Sequence, residues 1–238
     1  MKLKIILLSI GTLFLGASSQ LHKGDEIVQV ATLSALLDGQ YDGKIPYARL
    51  KKMGDFGVGT FDQLDGEMVA LDGEFFQIKS DGIVYPVKNG IKAPFADLTF
   101  FEADQTENIN TPLNYAQLRD RLLDLLPDEN HYYAIRVSGR FGQVQTRSVH
   151  KQQKPYPLLS EAVAQQEVFD YEDIEGTMVG TYMPESASGV GVAGFHFHFI
   201  SKDKKRGGHL LDCNFEQVKI AIDHTSGLRL LKNARNYN

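Results

Sequence analysis

Gly194-Phe195-His196-Phe197-His198-Phe199-Ile200 runs into the charged segment Lys202-Asp203-Lys204-Lys205-Arg206 and resumes as Gly207-Gly208-His209-Leu210-Leu211-Asp212. Successive side chains of a β-strand face opposite ways, so His196 and His198 share one face while Phe195, Phe197 and Phe199 take the other. The polar run followed by two glycines has the composition of a hairpin tip. Folding the chain back about Asp203-Lys204 sets His209 opposite His198. Directly opposed residues share a face, with Cβ atoms about 5 Å apart. Three imidazoles on one face of one hairpin make a tripod that can hold a divalent ion with coordination positions left open, as a catalytic zinc site does. A His-x-His pair alone reads more simply as solvent-facing or core-satisfied histidines. The third histidine at the mirrored position favours metal, because packing unpaired imidazoles together has a desolvation cost that a cation offsets.

Around this hairpin the composition is that of a globular protein. The 238 residues are 42% hydrophobic and 23% charged, enough to bury one large core or two small ones. A formal net charge of -5, a pI near 5.8 and the lack of a long basic patch argue against nucleic acid as a partner. At the N-terminus, Lys2 and Lys4 precede an apolar run from Ile5 to Leu15, and Ala17-Ser18-Ser19 supplies small residues for cleavage before Gln20. Residues 1–19 therefore read as a signal peptide, and the run is too short for a comfortable bilayer span. The expectation is a secreted or periplasmic protein with no stable membrane anchor. Cys213 is the single cysteine, so no intramolecular disulfide forms, and its apolar neighbours place it in a core.

Beyond the leader, helical spacing is expected over Ala31 to Leu37 and from Pro46 to Leu50. Strands are expected at Phe56 to Phe61, Glu67 to Leu71, Phe75 to Ile78, Ile83 to Val87 and Ala96 to Glu102. Asp65-Gly66, Asp72-Gly73 and Asp81-Gly82 separate them as hairpin signals. Thr111-Pro112 opens a helix through about Leu126, striped by Leu118, Leu122 and Leu125 and closed by Pro127. Then Tyr132 to Val137 and Phe141 to Val149 form an expected hairpin about Gly139-Arg140, followed by a helix from Leu159 to about Val168. Strands complete the chain at Ile174 to Tyr182, Val192 to Ile200, His209 to Phe215 and Gln217 to Ile222. The class is α+β, rich in antiparallel sheet, with an N-terminal half over 20–127 and a C-terminal half over 128–238 that carries the metal hairpin. The similar order of elements in the halves hints at duplication.

Two further side chains could serve a metal site. Glu67 shares a strand face with Val69 and Leu71, where a carboxylate is costly unless paired, protonated or near a metal; otherwise it is an edge glutamate reaching water at a turn. Arg147 lies on a face with Gln143 and Gln145 and could hold a carboxylate or enediolate oxygen, a role for which Arg136 and Arg140 compete. His22, His131, His150 and His224 lack symmetric partners and read as surface or loop residues. No Gly-x-Ser-x-Gly elbow or phosphate-binding loop is present.

Taken together, Gly57-Val58-Gly59-Thr60-Phe61, Leu64-Asp65-Gly66-Glu67-Met68, Pro94-Phe95-Ala96, Thr146-Arg147-Ser148-Val149, Pro155-Tyr156-Pro157, the Phe-His-Phe-His-Phe strand and Gly207-Gly208-His209 resemble the α-acetolactate decarboxylase family over roughly Ile27 to Leu230. The resemblance implies a zinc lyase converting 2-acetolactate, a small 2-hydroxy-3-oxo acid, to (R)-acetoin and carbon dioxide through a metal-stabilised enediolate. It also implies two related β-rich halves and a homodimer. Position by position it implies His196, His198 and His209 as Zn2+ ligands, Glu67 and Arg147 as catalytic residues, and Thr60 as a nearby site threonine. One departure concerns the tail: family members bring in a C-terminal glutamate, whereas Leu231-Lys232-Asn233-Ala234-Arg235-Asn236-Tyr237-Asn238 has no acid. The competing expectation is a non-catalytic secreted zinc- or sugar-binding β-domain. A metal-dependent hydrolase on the same tripod ranks below both.

Overall fold

A computed structural model describes residues 25–88 and 90–231. In chain order it contains β1 (Ile27–Val30), α1 (Leu33–Leu37), β2 (Ile45–Pro46), α2 (Tyr47–Leu50), β3 (Phe56–Thr60), β4 (Glu67–Leu71), β5 (Glu74–Ile78), β6 (Val84–Pro86), β7 (Lys92–Ala93), β8 (Ala96–Thr99), β9 (Gln105–Ile109), β10 (Leu113–Asn114) and α3 (Tyr115–Leu125). There follow β11 (Tyr132–Ser148), α4 (Leu159–Val163), β12 (Glu167–Met183), β13 (Gly194–Ser201), β14 (Gly207–Thr225) and β15 (Leu228–Leu231). The α+β, strand-rich class expected from the pattern is the one found.

One sheet runs β15-β1-β8-β3-β4-β5-β6, and the other is built on β10-β14-β11-β12-β13 with β9 added to β14. The sheets exchange strands along the chain: β15 lies parallel to β1, while β9 and β10 pair with β14. All three Asp-Gly pairs fall in the connections of β3 to β6. Asp72-Gly73 is the tightest, a two-residue loop between Leu71 and Glu74 with φ of 53° and 79°, the positive pair a type I′ turn needs.

Two expected breaks are not breaks. Strand β11 passes straight through Gly139-Arg140, with Gly139 paired to Gly176 on one side and Val218 on the other. A Cβ at Gly139 would stand 2.2 Å from the Gln217 carbonyl oxygen, so the glycine serves a close backbone approach rather than a turn. The segments 209–215 and 217–222 are likewise one strand. The register steps from Arg140↔Gln217 to Phe141↔Phe215, leaving Glu216 as a bulge. The helix expected to run to Val168 stops at Val163, since β12 begins at Glu167. Asn114, not Thr111, caps α3, in a reciprocal capping box with Gln117.

The sheets face each other across a core of Phe56, Val58, Val69 and Leu71 from one and Ala134, Val179 and Ile200 from the other. Phe197, Phe199, Phe141 and Phe215 pack behind the second sheet with Leu118 and Leu122 of α3. Cys213 belongs to that core, and burial with Asp212 nearby pushes its thiol up to about 12.

On β8, Ala96 and Leu98 join the outer core, so Asp97 and Thr99 point into the layer between the sheets. Asp97 is fully buried with neither carboxylate oxygen partnered, and burial pushes its pKa up to about 8. An unfolded aspartate titrates at about 3.9. The folded chain therefore keeps a proton that the unfolded chain loses, so stability falls as pH rises between those values and levels off above the folded one. Asp97→Asn is expected to remove this slope. Thermal melts should show the variant gaining on the parent by about 1 kcal/mol per pH unit across the window; a pH-independent gap would mean that Asp97 is folded in as the ion.

Candidate metal centre

Strand β13 carries His196 and His198 on one face, and the register His198↔His209 brings the third ring from β14. That pairing extends only through Phe199↔Gly208 and Ile200↔Gly207, after which β14 leaves β13 and runs beside β11. Gly208 permits the crossing: its φ is +145°, and a Cβ there would sit 2.6 Å from the Arg147 carbonyl oxygen. The same crossing sets Arg147 directly opposite His209.

The three ring centroids form a near-equilateral triangle with sides of 5.1, 5.1 and 5.2 Å. One nitrogen from each ring lies within 4.8 Å of the others, a grouping fit to hold one metal ion among the described residues. Burial, with the Arg147 charge adding to it, pushes His196 down to about 4. Burial likewise holds His198 and His209 well below the ordinary imidazole range. The rings are thus neutral, the form that ligates. His198 Nδ1 lies 2.7 Å from the Met68 carbonyl oxygen. A carbonyl only accepts, so Nδ1 carries the proton and Nε2 keeps its lone pair for a cation. Three lone pairs converging in a buried place fit a divalent metal better than they fit one another.

The other sheet supplies the acid. Glu67 opens β4 opposite Thr60, whose hydroxyl donates to the Gly66 carbonyl at 2.7 Å and so pins the turn that delivers Glu67. β4 runs between β3 and β5, so Glu67 is no edge residue; it is 5% exposed. Its Oε1 accepts from Arg147 Nη1 at 2.9 Å, while Oε2 stands 3.6 Å from His198 Nε2, beyond hydrogen-bond range. Burial raises the Glu67 pKa and the Arg147 charge opposes the rise, with burial prevailing.

These six side chains line one cavity of about 110 Å³. Its remaining wall is apolar: Leu33 and Leu36 of α1, Leu159 of α4, and Phe95, Val149 and Val192. Sequence periodicity placed those leucines on short helices, and only the fold reveals a roof. Arg136 and Arg140 are elsewhere, paired with Asp72 and Asp173. His131 and His150 are exposed beside Asp128 and Glu167, whereas His224 lies within β14, its ring edge-on to Tyr133. His22, the leader and the acid-free tail 232–238 lie outside the described residues.

Neutral imidazoles, a buried carboxylate and a guanidinium converging on a small, largely apolar cavity define a small-molecule enzyme rather than a structural module. A family model described as alpha-acetolactate decarboxylase matches residues 27–237. The sequence is 51% identical to an alpha-acetolactate decarboxylase of Methanosarcina mazei over 206 residues, 86% of this chain and 71% of that protein. It is 44% identical to one of Methylococcus capsulatus over 209 residues, 88% of this chain and 80% of that protein. The crystal structure of alpha-acetolactate decarboxylase from Bacillus subtilis strain 168 matches with a TM-score of 0.86 at 40% identity, covering 89% of this chain and 90% of that one. This chain belongs to the alpha-acetolactate decarboxylase family. It is a carboxy-lyase, and the non-catalytic alternative is not favoured.

His196→Ala, His198→Ala and His209→Ala are each expected to weaken divalent-metal binding by at least about tenfold, measured by chelator competition. Undiminished binding in any one would remove that ring from the site.

Proposed function

We propose that this chain converts (S)-2-hydroxy-2-methyl-3-oxobutanoate to (R)-acetoin and carbon dioxide, with zinc held by His196, His198 and His209. The observation that carries this reading is the convergence, in one cavity, of three neutral rings with the Glu67–Arg147 pair at 2.9 Å. Bound zinc supplies Lewis acidity toward the substrate's oxygens, which removes any need for an organic cofactor.

The remaining work falls to side chains. Arg147, 15% exposed, presents a guanidinium to the cavity that can orient the substrate carboxylate or a developing oxygen. When carbon dioxide leaves, its bonding electrons stay on the carbinol carbon, and the neighbouring ketone accepts them as an enediolate. One proton must then reach one face of that carbon. Glu67 approaches from the opposite sheet with Oε2 uncommitted, and burial shifts its pKa upward, the direction that favours proton delivery. Delivery from one side accounts for a single acetoin enantiomer. Leu33, Leu36 and Leu159 exclude water from the charged intermediate. Thr60 positions Glu67 through its bond to Gly66. The proposal extends to a homodimer and to export through residues 1–19.

Purified protein given 2-acetolactate is expected to evolve carbon dioxide and acetoin and to stop when a chelator strips its metal. Glu67→Gln should retain zinc yet lose turnover by orders of magnitude, about 10²–10⁴-fold for a lost acid-base group; an unchanged kcat would take Glu67 out of the mechanism. Expressed in full, the exported product should begin at Gln20 by N-terminal sequencing, and a cytoplasmic chain still starting at Met1 would overturn export.

A further inference from the structure

His198 Nδ1 meets the Met68 carbonyl, which leaves Nε2 for a cation; with His196 taken to ligate through Nε2 in the same way, its Nδ1 is buried without a hydrogen-bond partner. An imidazole that offers one nitrogen to a cation carries its proton on the other, and a buried N–H left unpaired costs the full desolvation of that group. The β12–β13 register places Thr181 directly across from His196. Opposed residues of antiparallel strands share a face, with Cβ atoms about 4.5–5.5 Å apart. Thr181 is 2% exposed, and its Oγ1 also lacks a partner. A ring nitrogen in need of an acceptor and a hydroxyl able to accept therefore stand side by side behind the tripod.

The neighbouring pair shows that this is not generic strand chemistry. His198 is opposed by Val179, which has no polar atom, and it is His198 that already has the carbonyl. A hydroxyl-bearing residue thus stands opposite the ring that lacks an acceptor, and an apolar one opposite the ring that has one. The layer behind is polar as well. Val179 packs between the sheets, so Thr181, two residues on, points the same way, toward the layer where both oxygens of Asp97 and the Thr99 hydroxyl are also unpartnered. Such a layer can hold a bridging water, which needs two or more polar partners.

We propose that the Thr181 hydroxyl accepts the Nδ1–H of His196, directly or through one buried water, and thereby fixes the tautomer and rotation of that ring for metal binding. Thr181 is a positioning residue and acts through His196. This rests on the metal reading of the site.

The test uses the full chain with Thr181→Val, which keeps the shape and removes the hydroxyl, and Thr181→Ser, which keeps the hydroxyl. Zinc affinity is measured by chelator competition and ring geometry by the visible spectrum of the cobalt-loaded proteins. The valine variant is expected to bind zinc about 10–100-fold more weakly with a shifted cobalt spectrum, while serine restores both and the metal-free melting temperatures stay together. Wild-type affinity in the valine variant, or equal weakening in both variants, would overturn the proposal, the second result pointing to packing. Should valine prevent folding, ¹⁵N-imidazole NMR of the zinc-loaded wild type decides: a slowly exchanging Nδ1 proton on His196 supports the bond, and a proton on Nε2 overturns it. Absence of zinc binding in the wild type would instead sink the metal reading itself, and this inference with it.

Discussion

Three residue pairs between β13 and β14 hold the site together: His198 with His209, Phe199 with Gly208 and Ile200 with Gly207. A longer hairpin would have carried β14 along β13 and kept Arg147 away. A shorter one would have left His209 out of register with His198. Because β14 departs at this point for β11, the strand that completes the tripod also hydrogen-bonds to the strand that carries the guanidinium. A slip of one residue would turn His209 to the aromatic core, so burial of Phe197 and Phe199 enforces the same register that the rings require.

The three rings and Glu67 come from different sheets, and two polar links span the gap. One is His198 Nδ1 to the Met68 carbonyl; the other is Arg147 to Glu67. Neither is a large source of stability. A buried ion pair recovers in Coulomb energy about what it loses in desolvation, and its better-attested value is in fixing geometry. Adhesion comes from the apolar layer of Val58, Val69, Val179 and Ile200, which flanks the polar links and denies their charges water.

How much of this a reader of the sequence could see depends on the range of each signal. Alternation with period two, plus a polar tip, placed His196, His198 and His209 together because a hairpin is local. Asp72-Gly73 was legible for the same reason: a two-residue loop constrains its own φ angles. Glu67 and Arg147 are separated by 80 positions, and no periodicity joins them; family resemblance did. The errors have one origin. Gly139 and Glu216 interrupt an apolar pattern just as turns do, but one relieves a close backbone approach and the other is a bulge inside a long curved strand. Leu33, Leu36 and Leu159 were legible as helix residues, but nothing local reveals that the surface they cover is a cavity.

Placing Glu67 and the three rings on separate sheets has a chemical consequence. In the proposed reaction Glu67 has to reach the substrate yet stay outside the ligand set, or it would be consumed as a ligand. Its Oε1 is engaged by Arg147, and the 3.6 Å from Oε2 to His198 is too long for a hydrogen bond. The engagement also explains why so buried a carboxylate is tolerated, since the guanidinium counters part of the burial that raises its pKa. Were Arg147 to swing onto a substrate carboxylate, that counterweight would weaken and the proton affinity of Glu67 would rise. Binding of an anionic substrate would thus arm the acid that the next step needs. In the proposed reaction, departure of carbon dioxide would free the guanidinium to return to Glu67.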